Sequence, residues 1–144
     1  MKKEDIIREI NNLDLQEDYV LGMGGSLCMR DIRDTHDIDL GVHEKDFERL
    51  AKNQEITQAV LGQQKIVLIT LKGDEIEVFN YEDFDGEGTE IIDGIQCQTI
   101  EGIIKMKKRF NRPKDIKDLE LIYATMSVSY THLRAHETRR HLVC

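Results

Sequence analysis

The sequence predicts one α/β domain in which short strands alternate with amphipathic helices. Three observations predict it. The chain has 144 residues, enough for a single core of a few elements and too few for two independent ones. Apolar stripes at helical spacing stand near both ends, with Ile6, Ile7, Ile10 and Leu13 in the first and Ile100, Ile103 and Ile104 in the last. Between them, Asp37-Ile38-Asp39-Leu40-Gly41-Val42 alternates acidic with apolar residues, the pattern of a strand with one face buried.

In chain order, the first stripe predicts a covering helix over Lys3 to Asn12. Tyr19-Val20-Leu21 reads as a short strand entering a glycine turn at Gly24-Gly25, and Ser26 to Arg30 as a helical turn leaving it. Asp37 to Val42 is the second strand, and His43 to Lys52 a helix by its Phe47, Leu50 and Ala51 stripe. Ile66 to Leu71 pairs as a hairpin through Lys72-Gly73-Asp74 with Glu75 to Phe79. Asn80 to Asp93 is acidic and contains Gly86 and Gly88, so it reads as a solvated loop, followed by one more strand at Ile95 to Gln98. Helices over Ile100 to Phe110 and from Pro113 onward close the chain, proline being suited to the first helical turn.

Composition narrows the function classes. Hydrophobic residues make up 40% and charged residues 33%, ordinary for a soluble protein, and no apolar run approaches the ~18 residues of a membrane span. The charged start, Met1-Lys2-Lys3-Glu4-Asp5, lacks a secretory core, so a cytoplasmic location is expected. Cys28, Cys97 and Cys144 show no metal-ligand spacing, and the first two read as small buried hydrophobes. A net charge of −8 argues against strong non-specific binding to nucleic acid or to anionic membranes.

The run from Val128 to Thr138 resembles one reading frame of a transposase-type sequencing-library adapter. Residues 127–144 are therefore expected to be an artefactual tail behind a domain at 1–126. The spacing of His132 and His136, which on one helix face would resemble a zinc half-site, is spurious on this view. Without the tail the chain holds 17 basic and 27 acidic residues, a net charge of −10.

The chemistry is expected where the glycine turn meets the acidic strand. Gly24 and Gly25 lack a Cβ, so backbone there can approach an anion, and Ser26 can add a hydroxyl donor. Asp37 and Asp39 are two residues apart on a strand, roughly 6.6 Å along one face, and can converge on shared cations. A third acid from a neighbouring strand would complete a magnesium site, and Glu77 is the candidate, with Glu75 expected on the same face. Lys107 shares the stripe of Ile100, Ile103 and Ile104; its stem either snorkels to water or its ammonium reaches phosphate. Arg33 either contacts a phosphate or pairs with Asp31 or Asp34 at the surface. Asp115 can stabilise a helix start, and Asp118 reads as solvated.

Gly24-Gly-Ser26 followed by Met29-Arg30-x-Ile-Arg33-x-Thr35-x-Asp37-Ile-Asp39-Leu40 resembles the signature of the DNA polymerase beta-like nucleotidyltransferase superfamily, above all its minimal, AbiEii-toxin-like branch. Lys107 and Arg112-Pro113-Lys114-Asp115-x-x-Asp118 are similar to the segment that closes many such domains. Asp31 stands where relatives often carry Gly, and Glu77 where Asp is commoner.

The resemblance implies a nucleotidyltransferase fold, a mixed β-sheet flanked by helices. It implies two Mg²⁺ ions on Asp37, Asp39 and Glu77, with the third acid also serving as base. Gly24, Gly25, Ser26, Arg33 and Lys107 would bind a nucleoside triphosphate, ATP foremost. The implied reaction moves a nucleoside monophosphate to a hydroxyl or phosphate of an acceptor. That acceptor is a small molecule or, for a toxin-like enzyme partnered by an antitoxin, tRNA or protein. The alternative is a non-catalytic nucleotide-binding or interaction module that retains the fold.

Overall fold

The computed structural model describes residues 1–61, 63–84 and 88–126. The run 127–144, with His132, His136 and Cys144, lies outside the described residues.

Helices α1 (Lys3–Asn12), α2 (Met23–Met29), α3 (Glu44–Ala51), α4 (Ile100–Phe110) and α5 (113–126) surround strands β1 (Tyr19–Gly22), β2 (Ile38–Val42), β3 (Thr57–Leu61), β4 (Gln64–Leu71), β5 (Ile76–Asn80), β6 (Thr89–Ile92) and β7 (Ile95–Gln98). The strands form one mixed sheet in the order β3-β4-β5-β2-β1-β7-β6. β2 runs parallel to β5 and β1 parallel to β7, while the remaining pairs are antiparallel.

Alternation along the central strands separates two faces. Leu21, Ile38, Leu40, Val42, Ile76 and Val78 point to one side, where they pack with Ile6 and Ile10 of α1 and Phe47 and Leu50 of α3. Cys28 and Cys97 are buried free thiols within this core. On the opposite side, smaller clusters join Met23 to Met106 and Phe110 of α4, and Leu27 to Ile103 and Ile122. The cleft described below opens on this second side.

Three parts of the fold differ from the sequence expectation. The span 80–93, read as a loop, contains a 3₁₀ turn (Tyr81–Asp83) and the edge strand β6. β6 is mostly exposed and is held by its backbone ladder to β7, so it lacks the inward apolar alternation that marks a strand. β3, the other edge, was unforeseen for the same reason: its Val60 is 64% exposed. The glycine turn also differs. Helix α2 begins directly after β1, so Gly24 and Gly25 lie in its first turn. The chain reverses at Met23, which takes a left-handed φ of 48°, a costly conformation for a residue with a side chain. Its amide donates to Gln98 Oε1 at 3.1 Å, fixing the corner against β7.

Gly41 shows how tightly the second face is filled. A Cβ there would sit 2.7 Å from Phe84 Cδ2 and 2.8 Å from Val20 Cγ1. Gly41→Ala is therefore expected to destabilise the protein by about 1–3 kcal/mol through overpacking, read as a lower urea midpoint.

Candidate active site

Two adjacent rungs of the sheet build the site. In the first, Asp39 of β2 lies between Glu77 of β5 and Gly22 of β1. In the second, Gly41 lies between Phe79 and Val20. The first rung is acidic and the second apolar because strand alternation sends every second residue to this face. Phe84 packs over both glycines, where a Cβ on Gly22 would come within 2.1 Å of its ring. It also meets Phe79 edge to face, with ring centroids 6.0 Å apart.

Helices α4 and α5 cover these rungs and leave a cleft of about 160 Å³. Asp37, Asp39 and Glu77 line it, together with Gly24, Arg33 and Lys107. Gly25 and Ser26 do not. Gly25 is there for packing, since a Cβ would lie 2.6 Å from Leu21 Cδ1. Ser26 is fully buried; its hydroxyl donates to the Gln98 carbonyl at 2.8 Å and accepts from Arg30. Its oxygen is thus committed to β7, away from the cleft where an anion donor was expected. Gly24 sits where a Cβ would press on Thr35 Oγ1 at 2.9 Å and Arg33 Nη2 at 3.0 Å. Thr35 in turn donates to the Asp37 carbonyl at 2.9 Å, which sets the entry to β2.

Glu75 precedes β5 and is exposed, outside the cleft lining, so only Glu77 of the two glutamates faces the aspartates. Asp31 is also outside the cleft. It adopts a left-handed φ of 61°, a conformation glycine takes freely and aspartate tolerates.

Burial, the charges of Asp37 and Glu77, and a hydrogen bond with Glu77 push the Asp39 carboxyl up to about 8, against the pull of Lys114. Glu77 is raised as well, first by burial and then by Asp37. Burial and mutual repulsion thus favour retention of a proton by the Asp39–Glu77 pair. Among the described residues, no three His, Cys, Asp or Glu side chains converge closely enough to hold a metal ion. The three acids share a wall without forming a closed cage.

The sign of the linkage follows. Because the folded protein binds this proton more tightly than the unfolded chain does, stability contributed by Asp39 is greatest at low pH. It falls as pH rises from about 4 towards about 8. The urea midpoint of the metal-free protein is expected to decline across that range, with Asp39→Asn flattening the decline.

Behind the acids lies a cationic network that sequence reasoning underestimated. Arg33 grips Asp118 through two bonds of 2.8 and 2.9 Å, instead of pairing with the side chains of Asp31 or Asp34. Lys107, 3% exposed, does not snorkel to water. Its ammonium donates to Asp118 at 2.9 Å and to Asp115 at 3.4 Å. Asp118, read as solvated, is thus a buried bridge. Asp115 is more than a charge on a helix dipole: it accepts from the Arg112 backbone at 3.1 Å, caps α5, and binds the Arg112 guanidinium. Burial opposes ionisation of both aspartates, but these partners outweigh it and leave them below the usual carboxylate range. Arg112 and Lys114 also line the cleft, and the only sequence signal for them was the Arg-Pro-Lys-Asp segment itself.

No family model matches the chain, and no curated protein sequence matches it. Solved structures do. A nucleotidyltransferase by provisional assignment, from Thermotoga maritima, aligns over 88% of this chain and 96% of its own, with a TM-score of 0.51 and 9% identity. The fold is nucleotidyltransferase-like. JHP933 from Helicobacter pylori aligns over 73% of this chain with 18% identity and a TM-score of 0.45. The chain spans 54% of that protein's length. Among the described residues of this nucleotidyltransferase-like fold, no helix is long and apolar enough to cross a membrane.

Proposed function

We propose that the chain is a magnesium-dependent nucleotidyltransferase that moves a nucleoside monophosphate from an NTP, ATP foremost, to a hydroxyl or phosphate of an acceptor. The observation that carries this reading is the meeting of Asp37, Asp39 and Glu77 with Gly24 and a cationic wall in one cleft. The donors suit magnesium without a three-carboxylate cage, because that ion takes one or two hard carboxylate oxygens, substrate phosphate oxygens and retained waters. The raised Asp39 and Glu77 carboxyls reflect crowded negative charge that a divalent cation would neutralise. Held jointly by Asp37, Asp39, Glu77 and the triphosphate, Mg²⁺ would supply charge neutralisation at the attacking and departing oxygens.

The chain's own residues do the rest. Gly24, without a Cβ, lets backbone approach phosphate oxygen, and Arg33 and Lys114 balance the triphosphate charge from the cleft wall. Glu77 takes the proton from the acceptor hydroxyl. That oxygen bonds to the α-phosphorus while the bond to the departing pyrophosphate breaks. Lys107 acts as a positioning residue, since its ammonium is committed to Asp115 and Asp118 and so holds the partner of Arg33.

The acceptor is a small molecule, or tRNA or protein if the enzyme is toxin-like and held by an antitoxin. Incubation with each α-labelled NTP in turn, ATP first, together with Mg²⁺ and separate pools of cellular RNA, protein and metabolites tests the reading. Label should enter one pool, and do so only with intact Asp37 and Asp39. Failure to label any pool from any of the four NTPs would overturn it.

A further inference from the structure

The cleft has a second, chemically different end. Met23, Phe79, Phe84, Met106 and Phe110 form an apolar, aromatic wall beyond the acidic rung. Asp83, at the end of the 3₁₀ turn that follows β5, lines the cleft together with this wall. Its Oδ1 accepts a long bond of 3.4 Å from Gln64 Nε2. Burial raises this carboxyl against a backbone hydrogen bond from Asn80, and its Oδ2 has no hydrogen-bond partner among the described residues. Gln64 is itself oriented, because its Oε1 accepts from Arg109 Nη2 at 3.3 Å and so turns the amide nitrogen towards Asp83.

A buried carboxylate oxygen without a donor is costly, and one beside an aromatic wall inside an open cleft is placed to take its donor from a ligand. The missing group must be an N–H or O–H carried on a body flat and apolar enough to lie against Phe79 and Phe84. An amino-substituted heteroaromatic ring meets both demands. Ribose hydroxyls would supply the donor but not the apolar body. Uracil's ring N–H is flanked by two carbonyls, so presenting it would also bring acceptor against acceptor.

We propose that Asp83 is a specificity-determining residue that receives the exocyclic amine of a nucleobase seated on the Phe79–Phe84 wall. Gln64 orients the carboxylate and can offer its second amide hydrogen to a ring nitrogen beside that amine. Adenine, guanine and cytosine carry such an amine, and uracil does not. The inference rests on the nucleotidyltransferase reading, since the acidic rung in the same cleft would hold the phosphates. It adds a base-selecting function to a residue outside that rung.

Calorimetric titration of the full chain with Mg²⁺ and non-hydrolysable analogues of ATP, GTP, CTP and UTP tests it, with purine riboside triphosphate as a fifth ligand. The fifth ligand differs from ATP only by lacking the amine, so this comparison needs no variant and does not depend on a substituted protein folding. The three amine-bearing analogues should bind at least about tenfold more tightly than UTP, and ATP about tenfold more tightly than its amine-free counterpart. In Asp83→Asn, whose amide can turn its NH₂ towards a carbonyl, both preferences should shrink to within about twofold. Equal binding of UTP and the others by the wild type, or an unchanged preference in Asp83→Asn, would overturn the base-selecting role while leaving the catalytic reading intact. Absence of binding by every triphosphate would overturn both.

Discussion

Replacing Asp37 and Asp39 together by Asn is expected to abolish magnesium-dependent nucleotide binding and to lower any transfer activity by at least about 10³-fold. The two side chains line the same cleft as Gly24 and Glu77, and neutralising them removes the hard anionic oxygens a divalent cation needs. The substitution should not harm the fold. Asp39 neighbours Glu77 across the sheet, and burial together with neighbouring acids raises its carboxyl to about 8, so the neutral form is already favoured below that pH. The metal-free double variant should therefore be at least as stable as the wild type at pH 8. Calorimetry with Mg²⁺ and a non-hydrolysable ATP analogue, beside a urea titration, separates the two effects. Unchanged nucleotide affinity in a folded variant would remove the mechanism proposed above.

The second large effect is structural. Lys107→Met should destabilise the protein by about 3 kcal/mol, because it leaves Asp115 and Asp118 buried with one cation fewer. The loss falls at the low end for a broken buried pair, since Arg112 and Arg33 remain as partners. For a chain of this size the thermal midpoint should drop by roughly 10 °C. The pH dependence carries the opposite sign to that of Asp39. Both aspartates titrate below their ordinary range when folded. Their contribution is thus present above about pH 4 and is lost as pH falls through the lower folded values. Wild type and variant should converge in acid and separate as pH rises to neutrality, a difference that denaturant midpoints at pH 3 and pH 7 would measure. Equal stability at pH 7 would mean that the network contributes nothing.

Much of the central architecture was legible because it rests on local periodicity. The alternation from Asp37 to Val42 placed its apolar residues on one face, and the core indeed gathers Ile38, Leu40 and Val42 there. The stripe of Ile100, Ile103 and Ile104 likewise marked α4. The edge strands β3 and β6 were not legible, since Val60 and Ile91 are largely exposed and the strands exist through backbone pairing with neighbours. Ser26 illustrates a different limit. Its place beside two glycines suggested an anion donor, but the partner of its hydroxyl, the Gln98 carbonyl, is 72 residues away in the chain.

By itself the sequence determined which residues alternate, which helices carry apolar stripes and where acidic side chains share a strand face. Those properties depend on neighbours two to four positions apart. Only the tertiary structure decided that Glu77 and not Glu75 stands beside Asp39, that Lys107 is tied to Asp115 and Asp118, and that Asp83 lines the cleft with one buried oxygen unpartnered. Each of those outcomes depends on sheet register or on helix docking, which bring distant residues within a few ångströms. Burial then turns such proximity into altered ionisation or an unmet hydrogen bond, and no local pattern encodes it.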